Sequence, residues 1–212
     1  MAHLSELEAI RKSQILDAAV RTIADKGSTN VRMDDIAHRS GLSKGGIAYY
    51  FSSKESLIKA AFNAYFDAVF GAVQRELEQE PSVFSRLARI HLLFDREREE
   101  VETGYPLVAD FMYQAMHHPE YRPLFARWAE RCVALLTGTL KEGMARGLFV
   151  GMDPEPVARS IAAIYQGVGQ RWFLAPETHT RAWALTTLEY AVMGVLVPFL
   201  APGVELTRES SG

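Results

Sequence analysis

Twelve residues, Ser43 to Lys54 (SKGGIAYYFSSK), gather two lysines, two tyrosines, a glycine pair and three serines. Lys44 and Lys54 can each neutralise a phosphate, and the hydroxyls of Tyr49 and Tyr50 can donate to phosphate oxygens. Gly45 and Gly46 leave a helix backbone bare enough to come very close to a groove. Ala48 offers a methyl group to the methyl of a thymine. Ser43 and Ser53 stand where two helices would start, and the N–H groups of a helix start also hold phosphate. This is chemistry suited to double-stranded DNA.

Such a face needs a rigid support. The stretch from Val31 to Leu57, VRMDDIAHRSGLSKGGIAYYFSSKESL, reads as two short helices joined by a tight turn and followed directly by a third. A helix-turn-helix sets its second helix in the major groove. Residues 33–39 form the first motif helix, with Ile36 and Ala37 inward. Gly41 falls where the backbone must take left-handed geometry, and Leu42 closes the turn. Ser43 caps the second helix, which Ile47 and Phe51 anchor. Lys44, Gly45, Gly46, Ala48, Tyr49 and Tyr50 are left toward the outer surface.

Helical spacing continues almost everywhere. Ile15, Ala18, Ala19 and Ile23 stripe a helix over 7–26 that Gly27 stops. A helix over 53–78 is apolar on two faces, one with Leu57, Ala61 and Ala64, the other with Ile58, Phe62, Phe66 and Val73. Such a helix is buried on both sides and connects a head to a body. Further helices are predicted over 82–101, 105–117, 120–146, 154–174 and 179–200, punctuated by Pro81, Gly104-Tyr105-Pro106, His118-Pro119, Gly147, Pro154 and Ala175-Pro176. Short connections suit antiparallel packing. No run alternates as a strand would. The fold class is all-α, with a three-helix DNA-binding domain at 1–52, a larger helical domain for dimerisation and ligand binding at 53–202, and a disordered tail at 203–212.

The segment GLSKGGIAYYFSSKESL resembles the recognition segment of the TetR family of one-component bacterial regulators. The shared elements are Ile36-Ala37, Gly41, Ser43, Tyr50-Phe51 and Lys54-Glu55, and the match covers about residues 10–62. The resemblance implies a homodimer whose heads bind half-sites of a near-palindromic operator. It also implies a C-terminal pocket whose small-molecule occupant releases the DNA. Lys44, Tyr49 and Tyr50 would lie at the groove and Lys54 at the backbone. Two positions depart from the family pattern. Ala48 stands where a tyrosine is frequent, which alters base readout. Arg32 stands where Thr or Ser is frequent; it loses a hydroxyl cap and has the charge to contact phosphate. The GGIAYYF variant is similar to the choline-responsive BetI-like branch, and names no ligand for this chain.

A ligand pocket is lined by apolar and aromatic groups with few polar ones. The candidates are Phe66, Phe70, Leu93, Phe94, Tyr105, Phe111, Met112, Met116, Trp128, Cys132, Tyr165, Gln166 and Trp172, with methionines as adaptable walls. An acidic body rich in aromatics favours a cationic ligand. Two apolar C-terminal helices suit a self-complementary two-fold interface. Its expected residues are Val157, Ile161, Ile164, Val168, Leu188, Val192, Val195, Leu196 and Phe199. The apolar run YAVMGVLVPFL is shorter than the roughly 20 residues a membrane span needs, so no membrane partner is expected.

Composition narrows the remainder. The chain has 212 residues, 48% of them hydrophobic and 23% charged, as in a globular protein. Residues 1–60 hold nine Lys/Arg against seven Asp/Glu, and the rest hold 14 against 19, so a mildly basic head stands on an acidic body. The single cysteine, Cys132, favours a reducing compartment, and MAHLSELEAIRKSQ lacks the apolar stretch of a signal peptide; a cytoplasmic location is expected. The six histidines form no metal pair, and no phosphate loop or nucleophile elbow is present. Neither metal nor cofactor nor enzymatic activity is expected. DREREEVE at 95–102 reads as a solvated helix face. The alternative reading is an all-α carrier or enzyme whose N-terminal module binds a protein.

Overall fold

The computed structural model describes residues 2–204, the side chains of 2–5 excepted. Among them are nine α-helices: α1 (Ala2–Lys26), α2 (Met33–Ser40), α3 (Lys44–Tyr50), α4 (Lys54–Gln79), α5 (Val83–Ala88), α6 (Glu99–His117), α7 (Arg122–Ala145), α8 (Pro154–Leu174) and α9 (Arg181–Leu196). Single 3-10 turns occupy His91–Phe94, Pro119–Tyr121 and Val197–Phe199. One isolated antiparallel bridge joins Phe149 to Leu200. The all-α expectation is met. The tail expected to be disordered lies, from residue 205 on, outside the described residues.

Packing forms two compact units, Met1–Gly71 with Glu97–Arg127, and Ala72–Arg96 with Trp128–Gly212. This division interleaves the chain rather than cutting it at residue 52. The reason is α6, which packs on α1 and so joins the first unit. In that unit Ile15, Ala18, Ala19, Thr22 and Ile23 recur at helical spacing as the buried stripe of α1. Ile36 of α2, Ile47 of α3 and Leu57, Phe62 and Phe66 of α4 are also buried. Phe111 of α6 lies among Phe62, Phe66 and Phe125, at ring-centroid distances of 4.6, 5.1 and 6.0 Å. The second unit has a core of Val83, Leu87, Leu136, Leu140, Phe149, Val157, Ile161, Val192 and Leu196, among others.

The region 82–117 departs from its sequence reading. The helix expected over 82–101 ends at Ala88, and the one expected to begin at 105 begins at Glu99. Glu99, Glu100 and Glu102 fill the first turn of α6, where carboxylates favour the positive end of the helix dipole. Pro106 therefore lies inside a helix instead of ending one. A proline there forfeits one backbone hydrogen bond, a cost of about 3 kcal/mol, offset by burial of Val101, Leu107 and Phe111. Gly104 permits the approach of α4: a Cβ there would fall 1.7 Å from the Tyr65 hydroxyl, which donates to the Glu100 carbonyl at 3.3 Å.

Arg96 is no part of a solvated helix face. Its guanidinium lies 4.8 Å from the ring centre of Trp172 and 4.7 Å from that of Phe173. Nη2 donates to the carbonyls of both, at 3.2 and 2.7 Å, which satisfies the end of α8.

Candidate nucleic-acid interface

The turn between α2 and α3 forms as its residues dictate. Gly41 has φ +69°, the left-handed geometry that favours glycine, and the Leu42 N–H reaches the Ala37 carbonyl at 3.2 Å. Ser43, in extended conformation, accepts the Gly46 N–H on its hydroxyl at 3.1 Å and fixes where α3 starts. Ile47 and Phe51 are buried. That anchoring fixes which way the remainder of α3 points.

Ser43, Lys44, Gly45, Ala48 and Tyr49 are exposed. Tyr49 is 73% exposed, unusual for a large ring, and meets Tyr50 edge to face at 5.0 Å. Tyr50 and Gly46 are half-buried, so both serve packing as well as any surface role. Arg32 is exposed and extended ahead of α2. Its own N–H donates to Asp35 Oδ2 at 2.8 Å, so Asp35 satisfies the N-cap N–H, the other half of a capping box from the one a hydroxyl at 32 would have made. Hydrogen bonding to Lys26 holds the Asp35 carboxyl below its ordinary range, with the Arg32 N–H adding to it. Lys54 is half-buried and donates to the Thr29 carbonyl at 3.1 Å. It ties the start of α4 to the turn after α1. Ser53 and Ser56 cap that start, with the Ser56 N–H reaching Ser53 Oγ at 3.0 Å.

Two acidic neighbours escaped sequence reading. Glu8 Oε1 accepts the Tyr49 hydroxyl at 3.2 Å, and Asp34 Oδ1 pairs with Lys44 Nζ at 2.7 Å. The hydrogen bond to Glu8 raises the Tyr49 pKa, and the nearby charge adds to it. Asp34 lies in the first turn of α2, opposite the α3 it contacts; no spacing in the sequence pairs the two.

The expected pocket residues divide between the units. Phe66, Phe70, Tyr105, Phe111, Met112 and Met116 belong to the first, and Phe94, Trp128, Cys132, Tyr165, Gln166 and Trp172 to the second. Phe111 is fully buried core, and Met116 is 65% exposed at the end of α6. Phe94 meets Trp172 at 5.4 Å and Tyr165 at 6.4 Å. The Tyr165 hydroxyl donates to the Leu87 carbonyl at 3.1 Å and accepts the Ile90 N–H at 3.2 Å. Its polar atom thus supports the end of α5. A cavity of about 630 Å³ opens in the first unit, lined by Gln14, Asp17, Arg21, Asp25, Arg39 and Glu99 among others, and none of the expected pocket residues lines it.

Cys132 is half-buried on α7, and burial pushes its thiol from 9.0 up to about 11. An acid raised by folding keeps its stabilising share while protonated, so that share is lost as pH rises from about 9 to about 11. At pH 8 the folded chain should react with iodoacetamide far more slowly than the urea-unfolded chain. Equal rates would show that the thiol is not held neutral.

Six of the nine expected dimer residues are turned inward, and three are partly buried. Val157, Ile161, Val168, Leu188, Val192 and Leu196 are buried within the chain itself. Ile164, Val195 and Phe199 pack against the same core. The stripe read as an intermolecular seam is the seam where α8 meets α9. Among the outward residues are Ala163, Gln170 and Leu174 of α8 and Thr186, Tyr190 and Gly194 of α9, with Val197 beyond it; Glu155, Arg159 and Arg171 of α8 and Arg181 of α9 are exposed too. Arg181–Phe199 is long and apolar enough to cross a membrane by length and composition alone.

The chain is similar to known proteins in sequence and in fold. A family model described as bacterial regulatory proteins, tetR family, matches residues 15–61. Another, described as BetI-type transcriptional repressor, C-terminal, matches residues 87–197. The HTH-type transcriptional regulator BetI of Rhizobium meliloti is 30% identical over 183 residues, 85% of this chain and 87% of that one. A TetR-family regulator structure from Rhodococcus sp. is similar with a TM-score of 0.76 at 27% identity, covering 88% of this chain and 98% of that one. A regulator from Saccharomonospora viridis, solved in complex with choline, has a TM-score of 0.76 at 23% identity, covering 87% and 96%.

Proposed function

Because the chain belongs to the TetR family of bacterial transcriptional regulators, we propose that it is a ligand-released repressor. It acts in the cytoplasm as a homodimer whose two α3 helices enter successive major grooves of a near-palindromic operator. Residues 1–52 read DNA, and 53–202 dimerise and bind a small molecule. The observation that carries this reading is the outward face of α3, where Lys44, Gly45, Ala48 and Tyr49 stand exposed on a helix fixed by its Ser43 cap and buried Ile47. The match of 87–197 to the C-terminal part of BetI-type repressors supports repression over activation. The outward, largely uncharged side of α9 supports a second copy as its cover.

Release is a population shift. The effector binds better to a body conformation that spaces the heads badly for DNA, and it can shift the equilibrium only by that difference in affinity. A small organic cation is the first class to try, given the aromatic content of the body and the choline held by the Saccharomonospora viridis regulator.

The test is binding to the DNA upstream of the chain's own gene, titrated with salt. Affinity should fall steeply as salt rises, and Lys44→Ala should flatten the slope by about one phosphate contact. Tyr49→Ala should weaken binding by about 1–3 kcal/mol without lowering the melting temperature, since the ring is exposed. A carrier or enzyme would bind no duplex at any salt concentration. Unchanged affinity in Tyr49→Ala would remove that ring from the interface.

A further inference from the structure

Two side chains on the outer face of α3 are already engaged, both by acids outside that helix. Tyr49 donates to Glu8 at 3.2 Å, and Lys44 pairs with Asp34 at 2.7 Å. Glu8 sits on a part of α1 with little packing work: residues 6–14 are all exposed, and Ile15 is the first buried position after them. Leu7 and Ile10 on the same turns are exposed too. Burial therefore does not account for what those turns do. What they do in this structure is hold a carboxylate against the most exposed ring of the DNA-facing helix.

We propose that Glu8 and Asp34 limit the affinity of the DNA face by competing with phosphate for Tyr49 and Lys44. The inference rests on the DNA-binding reading above. A phosphate that approaches the Tyr49 hydroxyl must displace a carboxylate that already accepts its proton. The displaced carboxylate then remains beside a polyanion, where like charges repel. Lys44 meets the same competition from Asp34. Both contacts are surface interactions, so each takes away a modest share of affinity rather than abolishing binding.

Such a brake has a use in a ligand-released regulator. An effector shifts the DNA-bound population only by its differential affinity for the two states. A head that gripped DNA much more tightly would stay bound with the effector in place. Acids set against the reading helix hold the grip within the range that an effector can overcome.

The experiment uses the full chain, a duplex that it selects from a random-sequence pool, and a scrambled duplex of the same composition. All affinities are compared at one salt concentration. Glu8→Gln should bind both duplexes about two- to fivefold more tightly, the range of an exposed pair. The gain should shrink when Glu8→Gln is made in a Tyr49→Phe background, because the hydroxyl for which Glu8 competes is gone and only its repulsion of the polyanion remains. Asp34→Asn should behave likewise, with a smaller gain in a Lys44→Ala background. Unaltered melting temperatures keep the comparison free of folding effects. Unchanged or weaker binding by Glu8→Gln overturns the inference, as does a gain of undiminished size without the Tyr49 hydroxyl. If the native chain selects no duplex, the DNA-binding reading falls and this inference falls with it. If the native chain binds and Lys44→Ala weakens binding while Glu8→Gln changes nothing, the inference alone falls.

Discussion

Val192→Glu should abolish cooperative folding of the unit formed by Ala72–Arg96 and Trp128–Gly212, instead of yielding well-folded monomers. Val192 is fully buried, in one core cluster with Leu87, Ile161 and Leu196. A carboxylate there has no partner, and an uncompensated buried charge costs about 3–5 kcal/mol or more. Removal of the valine packing adds to that cost. Whole domains are stable by only about 5–15 kcal/mol, so one such change consumes much of the margin. Circular dichroism during heating should show a broad or much lowered transition. Tyr190→Glu makes the contrast, because Tyr190 is 60% exposed on the outward side of α9. Its melt should resemble the native one, while sedimentation should show a smaller particle if a second copy covers that side. A sharp native-like melt for Val192→Glu would mean that Val192 is not core.

The same pair of residues shows where sequence reading stops. An apolar stripe marks a buried face but does not say what buries it. Val157, Ile161, Val192 and Leu196 have the spacing of a helix–helix seam, and α8 and α9 of one chain meet along it. A seam between two chains would carry the same pattern. The head was more legible because its signals are local: Gly41 for a left-handed turn, Ser43 for a cap and Ile47 for an anchor act over a few residues and all take their expected places. The body signals act over long separations. Tyr165 meets the backbone at Leu87 and Ile90, and Arg96 meets Trp172, across 75 residues or more. No local pattern encodes those partners. Pro106 misled for the opposite reason, since a strong local rule was overruled by the burial of its neighbours. Glu8 and Asp34 went unseen because an exposed acid carries no periodic signal at all.

Phe111→Ala should be the most damaging single truncation in the other unit, at about 3–5 kcal/mol. The ring touches three other phenylalanines, from α4 and α7, and its removal leaves a void that none of them can fill in a favoured rotamer. The consequence should reach the DNA-reading segment through its neighbours on α6. Asp110 Oδ1 accepts the Ser28 N–H at 3.0 Å, and Gln114 Nε2 donates to Ser28 Oγ at 2.7 Å and to Thr29 Oγ1 at 3.3 Å. Thr29 in turn accepts from Lys54. The turn that carries α1 into α2 is thus held by the same helical segment that Phe111 fixes in the core. Urea unfolding should give the global loss, and amide exchange at Ser28 should report the local one. Gln114→Ala removes two of those bonds and leaves the aromatic core intact, so its cost should be nearer the 1–3 kcal/mol of an unsatisfied buried polar group. Exchange at Ser28 should accelerate in both variants. If it accelerates in Gln114→Ala alone, the core and the turn are independent, and packing of α6 does not hold the DNA-reading segment in place.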